Sequence, residues 1–524
     1  MRRTLITFLV LSALLIVSAL VIAQNKTRRI SQSVLKDKIK GGWAGQMIGV
    51  SFGAPTEFRF NGKLIEGELK WTPERISNSI DQDDLYVEMT FTKVLDDLGL
   101  NATCEQFGEA FKDSKYMLWH ANAGARRNLN RGIKAPMSGH PKYNFHANDI
   151  DFQIESDFIG LMTPGLPREA NKYADRVGRV MNYGDGLYGG MFVSGMYAAA
   201  FFESDPRKVV EAGLKSIPAQ SGYARLVSDV LQWHKQYPDD WKKAWQMLKE
   251  KWDKDDPCPE GVLKDFNIDA RLNGGHIVLG LLWGKGDFNQ TLDISTRAGQ
   301  DSDCNPSSAA GVLGVMLGYD RIPDEWKSGI AAIADKKFQF TDYSFSTIVD
   351  STLKRTFKVV ESVGGKVTDS EIIVPMQQPK APKLEQWNPG VPDKLVQFND
   401  PAWQWKGSWN DETQATDYRD RNRSGVTGKV ANGAGAEAVL MFEGVAVCIV
   451  GPMSQEGGRA DAYLDGKQLD YIDAYVVERT YDYDLWRAYG LKPGKHTLRI
   501  VSRDDADARS KGRKVILRRA VIYR

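Results

Sequence analysis

The chain has 524 residues, 42% of them hydrophobic and 26% charged, with a formal net charge of +2. That length exceeds one typical core and predicts two or three domains. The near-neutral balance, with no Lys/Arg patch, gives no electrostatic reason to expect nucleic acid as a partner.

Arg2 and Arg3 precede an apolar run from Leu5 to Ile22, and Ala23 closes it with small residues around it. This predicts a signal peptide over 1–23 and an exported protein, whether periplasmic, cell-surface or secreted. The run is long for such a segment, so an uncleaved anchor is the alternative and the one route to a membrane. Cys104, Cys258, Cys304 and Cys448 are too widely spaced for a zinc signature or a dense disulfide framework, and a single bridge stays open.

From 30 to 345 the pattern predicts an all-α domain. Apolar residues recur at helical spacing from Val34 and again over Leu85 to Leu98, where Gly99 stops the helix. Gly190 to Phe202 and Ala309 to Leu317 are rich in Gly and Ala, as closely packed internal helices are. Trp233 to Trp252 reads as one more exposed amphipathic helix. Five prolines between Pro375 and Pro392 mark a linker, and 346–392 is expected to be a connecting segment with a short β element of uncertain allegiance over Lys366 to Val374. Over 393–524 the period changes to two. Ala438 to Phe442, Val445 to Val450, Ala460 to Leu464 and Thr497 to Val501 are strand candidates, with Asp465-Gly466 a hairpin turn, and together they predict a β-sandwich.

Two acidic clusters carry the chemistry: Asp81-Gln82-Asp83-Asp84 and Asp301-Ser302-Asp303-Cys304. Taken singly, each has a bland reading. Carboxylates favour a helix N-terminus, and Asn305-Pro306 suits a helix start. Taken together, with Gly299, Gly311 and Gly314 removing bulk nearby, they point to a hard divalent cation that offsets the repulsion of packed carboxylates. His120 and His276 read as satisfied buried histidines. Gly49-Val50-Ser51-Phe52-Gly53 matches a nucleophile elbow in letters alone, because a helix pattern precedes it and Pro55 follows closely.

The order Gly45-Gln46-Met47-Ile48-Gly49, Gly53-Ala54-Pro55-Thr56-Glu57, Asp83-Asp84, then Gly299 to Gly314 resembles the ADP-ribosylglycohydrolase family, over roughly Ser33 to Tyr343. The resemblance implies an all-α orthogonal helical fold, a magnesium pair and hydrolysis of glycosidic bonds to ribose. It implies Asp83, Asp84, Asp301 and Asp303 as metal ligands, with Gln82 as a further candidate, and Glu57 and Asp84 as catalytic residues. Asn122 and the Gly184-Asp185 loop fall where the family lines its substrate cleft. Gln82 and Cys304 stand where the family has hydroxyl residues. One Mg2+ ion or two, or Mn2+ instead, are compatible with that departure. After the linker, Phe442 to Val447, Tyr463 to Lys467 and Gly494 to Leu498 resemble galactose-binding-like modules. Trp403, Trp405, Trp409, Tyr483 and Trp486 are read there as core or interface residues ahead of sugar platforms.

The expectation is an exported, metal-dependent glycosyl hydrolase with a carbohydrate or glycoside substrate and a β-sandwich accessory domain. A catalytically degenerate carbohydrate binder and a true ADP-ribosyl hydrolase are the alternatives.

Overall fold

The computed structural model describes residues 27–254, 256–413, 426–477, 480 and 482–524. The signal segment expected over 1–23 lies outside them. Among the described residues, no helix is long and apolar enough to cross a membrane, and all four cysteines are free.

The helical body is organised by two internal helices. The first, Gln32–Gly53, starts at Ser31, whose hydroxyl accepts from the Val34 amide. The second is Cys304–Leu317. They cross antiparallel, nearly backbone to backbone. Gly41, Gly45, Gly49 and Gly53 stand four apart, so they form one stripe of the first helix. A Cβ on each would lie 2.2 Å from the Gly314 carbonyl oxygen, 2.1 Å from that of Ala310, 2.3 Å from that of Pro306 and 2.0 Å from that of Ser302. The second helix answers in kind. A Cβ on Gly311 would lie 1.7 Å from the Tyr197 hydroxyl, and one on Gly314 would lie 2.1 Å from the Gly41 carbonyl oxygen. No side chain fits between these backbones, and interiors at native density tolerate little added volume.

The other helices wrap this pair. Asp83–Leu98 begins and ends as expected, with Gly99 left-handed at φ 84°. The stretch read as one helix over Trp233 to Trp252 is two, Gly222–Gln236 and Trp241–Trp252, because Pro238 cannot continue the first. The stretch read as connecting over 346–392 begins instead with the helix Phe345–Ser362. Its Ile348, Val349, Val359 and Val360 are buried in the same core. Lys366–Val367 and Glu371–Pro375 then form a small sheet with Thr27–Ser31, so this β element belongs to the helical body. Regular structure is absent from 376 to 391. That strap is nonetheless tied down: the Asn171 amide donates to the Lys380 carbonyl, and Arg179 pairs with Glu385 at 3.0 Å.

Beyond it the regular structure among the described residues is all strand. One antiparallel sheet runs Lys467–Asp473, Arg459–Leu464, Gly494–Ser502, Glu437–Gly444, Trp403–Lys406. A second runs Tyr483–Ala488, Ala446–Gly451, Arg519–Tyr523, Pro392–Gln397. Leu440, Ala462 and Ile500 from the first meet Ile449, Ala520 and Ile522 from the second in one core, which makes a sandwich. A third, three-stranded sheet holds Lys514–Leu517, Val426–Asn432 and Asn410–Thr413. Asp465 and Gly466, at φ 50° and 80°, form the expected two-residue hairpin turn. Trp403, Tyr483 and Trp486 are buried in the shared core and Trp405 and Trp409 pack on it, as packing residues do.

The sandwich meets the helical body through charge as well as apolar contact. Arg127 lies 3.3 Å from Asp484, both buried, and the Tyr523 hydroxyl donates to the Pro257 carbonyl at 2.9 Å.

Gly45→Ala should lower unfolding free energy by about 3 kcal/mol, at the upper end for overpacking, because a backbone carbonyl cannot rotate out of the way. Urea denaturation checks this. A loss below about 0.5 kcal/mol, the size of an ordinary surface substitution's scatter, would show that the two backbones are not held in contact.

Candidate metal centre and cleft

The crossing of the two glycine-lined helices fixes where the acidic clusters meet. Gly53 ends the first helix against Ser302, and Asp303 starts the second helix as its N-cap residue. Helix Asp83–Leu98 brings its own N-terminus to the same place. Asn305 does not cap, contrary to expectation. It is buried inside the first turn, where its amide donates to Asn273 Oδ1 at 2.9 Å.

Asp84, Asp301 and Asp303 are all buried, with exposures of 0%, 2% and 2%. Burial pushes the Asp84 carboxyl well above the usual carboxylate range, and Asp83 and Asp303 push the same way. Burial and then Asp301 do so for Asp303. Burial and the nearby Glu57 do so for Asp301. The four aspartates therefore share one field. Asp84 Oδ1 and Asp301 Oδ1 are buried with no hydrogen-bond partner. Buried acceptors left this way are costly, and a hard cation satisfies them with oxygen ligands alone. The set fits magnesium or manganese.

Cys304 is a donor here. Its thiol donates to Asp84 Oδ2 at 3.2 Å, and burial followed by the surrounding aspartates raises its pKa well above a normal thiol's. It sits within ligand distance of Asp301 and Asp303, but a protonated thiol among carboxylates serves as a hydrogen-bond donor to them. Gln82 is only half-buried, and its amide donates to Asn78 Oδ1 at 2.9 Å. Glu57 lies exposed just beyond the opening helix, beside Thr56, whose hydroxyl is 2.8 Å from that of Ser302.

Asn122 joins this centre through Glu155. Its side-chain amide donates to Glu155 Oε1, and burial raises the pKa of Glu155, with Asp151 next and Asp83 and Asp84 contributing. Asp151 accepts from the backbone amides of Ala121 (3.1 Å) and Asn122 (3.0 Å), capping the helix His120–Asn130. Burial, and then Asp149, push it up to about 7. Gly184, at φ 55°, precedes helix Asp185–Ala200. Asp185 accepts from the Tyr223 amide at 3.0 Å, and burial raises its pKa against the opposing pull of Arg271. The structure thus brings Asn122 to the centre and gives Asp185 a capping role on a neighbouring helix. His276 is buried, as its bland reading has it, and burial lowers it to about 3, but its Nδ1 has no hydrogen-bond partner.

A deeper polar layer escaped the sequence reading. Glu88 accepts from Gln46 (3.1 Å) and from the Phe158 amide (2.9 Å), while Asp157, pushed up to about 7 by burial, lies buried near Tyr197 and Gln46. Gln46 and Tyr197 sit in apolar helical stretches where one polar residue gives little signal. The acids Asp149, Asp151, Glu155 and Asp157, closely spaced in a segment that is otherwise largely apolar, are the signal that was available.

Comparison with known proteins identifies the helical body. Residues 31–353, more than half the chain, match the ADP-ribosylglycohydrolase family model, and the chain belongs to that family. Two curated proteins of Flavonifractor plautii are similar over shorter stretches. An A type blood alpha-D-galactosamine galactosaminidase is 43% identical over 68 residues, 13% of this chain and 6% of that protein. An A type blood N-acetyl-alpha-D-galactosamine deacetylase is 26% identical over 194 residues, 36% of this chain and 23% of that protein. The chain thus spans less than a quarter of either. A solved ADP-ribosylglycohydrolase-related protein complex covers 62% of this chain and 98% of its own, at 13% identity and TM-score 0.44.

Asp84→Asn should weaken Mn2+ binding at least about a hundredfold by calorimetry, since outer-shell changes alone reach that size. In EDTA the same variant should melt no lower than the parent, because a buried like charge has been removed. Melting several degrees lower in EDTA would instead mark Asp84 as a structural cap.

Proposed function

We propose that this ADP-ribosylglycohydrolase-family protein is an exported, metal-dependent hydrolase that cleaves a glycosidic bond in an extracytoplasmic glycan or glycoside. The observation that carries the reading is the meeting of four aspartates from two distant segments, with Asp84 Oδ1 and Asp301 Oδ1 buried and unpartnered. Asp83, Asp84, Asp301 and Asp303 would hold the ion. When bound, magnesium or manganese supplies positive charge that orients sugar hydroxyls and polarises the site.

The chain's own residues supply the rest. Glu57 is exposed at the mouth and within the field of Asp301. It would take a proton from a water as that water attacks the anomeric carbon, while the glycosidic C–O bond breaks and the leaving oxygen takes a proton from solvent and departs as an alcohol. The Cys304 thiol donates to Asp84 Oδ2, and the unpartnered Oδ1 would be the atom that holds an ion. Asn122 would bind a sugar hydroxyl beside the ion, with the buried Glu155 orienting its amide. The acidic field disfavours anionic substrates that bring no cation with them. An amino sugar carries no such penalty, and both curated relatives are named for galactosamine compounds. The sandwich, read as a galactose-binding-like module, would keep the enzyme on its glycan.

A second reading, a carbohydrate binder without turnover, is favoured by one feature: Cys304 stands where the family has a hydroxyl, and its thiol occupies an oxygen of Asp84.

A panel of α- and β-glycosides, galactosaminides included, assayed with Mg2+ or Mn2+ beside ADP-ribosyl substrates, decides between them. The expected result is ion-dependent release of a sugar from at least one glycoside, lowered about 100-fold or more in Glu57→Gln, as loss of a general base does. Turnover of ADP-ribosyl substrates alone would overturn the glycan assignment, and glycan binding with no turnover would establish the binder.

A further inference from the structure

A second constellation lies beside the aspartates, and the function above does not use it. His120, His146, Asp149 and Cys258 are buried, at 6%, 0%, 1% and 0% exposure. One ligand atom from each lies within 4.8 Å of every other. His146 Nδ1 is 2.8 Å from Asp149 Oδ2 and 3.4 Å from Cys258 Sγ, and His120 Nδ1 is 3.7 Å from Asp149 Oδ2. A tetrahedral zinc ion with ordinary Zn–N, Zn–O and Zn–S bonds sets donor–donor edges of about 3.3–3.6 Å. The three separations bracket that range, so shifts of about half an ångström or less complete those edges.

The chemistry of the donors is as specific as their spacing. Two imidazoles, a thiol and one carboxylate suit a zinc-class ion, whereas the neighbouring all-oxygen set suits magnesium. The outer groups are also in place. His146 Nε2, on the far side of the ring from its ligand nitrogen, is buried and 3.5 Å from Asp484 Oδ1. A metal-binding histidine characteristically turns its other N–H toward a carboxylate. Asp484 is itself fixed by Arg127 at 3.3 Å and by Arg487 at 2.6 Å. His120 is held at φ 42°, a conformation rare outside glycine, and its ring stacks on Phe266 at 5.9 Å. Its carbonyl accepts from the Tyr483 hydroxyl, while the Tyr483 ring stacks on His146 at 4.7 Å.

We propose that His120, His146, Asp149 and Cys258 form a structural site for a zinc-class divalent ion at the seam between the helical body and the β-sandwich. The ion would join three separate segments of the helical body. Through His146 and Asp484 it would also order the strand Tyr483–Ala488 that roofs them. On binding, the Cys258 thiol and His146 Nδ1 each lose a proton to solvent, and His146 keeps its other proton on Nε2, facing Asp484. Four protein ligands close the coordination sphere, as in structural sites. The half-exposed Glu260, 3.5 Å from His120 Nδ1, marks the side from which the ion would enter.

The test is metal binding by the full-length chain, with Zn2+ and Co2+ as probes and no activity readout. One equivalent of Co2+ should give tetrahedral d–d absorption with a thiolate-to-cobalt charge-transfer band, and Zn2+ should abolish both. Asp301→Asn should keep the spectrum, which separates this site from the carboxylate centre. Cys258→Ala should lose the charge-transfer band and bind Zn2+ at least about a hundredfold more weakly. X-ray absorption on the unaltered, zinc-loaded protein needs no variant and should show one sulfur among four scatterers. An all-oxygen shell, or cobalt spectra with no thiolate band, would overturn the proposal and leave His146 as a hydrogen-bonded bridge between Asp149 and Asp484.

Discussion

Everything at the candidate centre depends on two helices being allowed to touch backbone to backbone. Gly41, Gly45, Gly49 and Gly53 let Gln32–Gly53 lie against Cys304–Leu317 with no side chain between them. That contact sets the register of the pair. The register places the end of the first helix, with Glu57 just beyond, beside the start of the second, where Asp301 and Asp303 stand. A bulkier stripe would separate the axes by the width of a side chain and draw the acids apart. Close packing here is therefore a condition for the chemistry as well as a source of stability.

The acids in turn exact a cost that apolar packing alone cannot repay. Asp84, Asp301 and Asp303 are nearly free of solvent, and each is disfavoured in its charged form by burial and by its neighbours. A structure that keeps such a group together is holding a site that a cation completes. The layer behind it, Glu88, Asp157, Gln46 and Tyr197, is buried as well: Gln46 donates to Glu88, and burial holds both Glu88 and Asp157 toward their neutral forms. Ionic chemistry at the cleft thus rests on a neutralised polar layer, and that layer rests on the glycine-lined crossing: the Tyr197 hydroxyl fits only because residue 311 has no side chain.

The β-sandwich is joined to this arrangement by more than a tether. Arg127 and His146 of the helical body both face Asp484, Tyr483 stacks on His146, and the proline-rich strap is hydrogen-bonded along the helices that it crosses. Buried charge pairs discriminate strongly between docked and undocked states, because leaving either partner alone and desolvated is costly. The relative placement of the two parts is consequently specified.

By itself the sequence determined the helical and strand regions, the Asp465-Gly466 turn, the glycine-rich opening and the two acidic clusters. Each of these is written in local periodicity or in a short run of residues. It also pointed to the family, because the order of glycines and acids is a linear pattern. Tertiary structure alone decided what no linear pattern contains. Phe345–Ser362 joined the helical core through long-range packing, and Cys304 became a donor because Asp84 lies across from it. Asp185 became a cap for a helix that starts at Gly222, and His120, His146, Asp149 and Cys258 met although their spacing resembles no metal signature. The physical reason is common to all four. Burial and through-space contact fix the protonation and partners of a polar group, and those belong to the folded neighbourhood, which the spacing along the chain does not record.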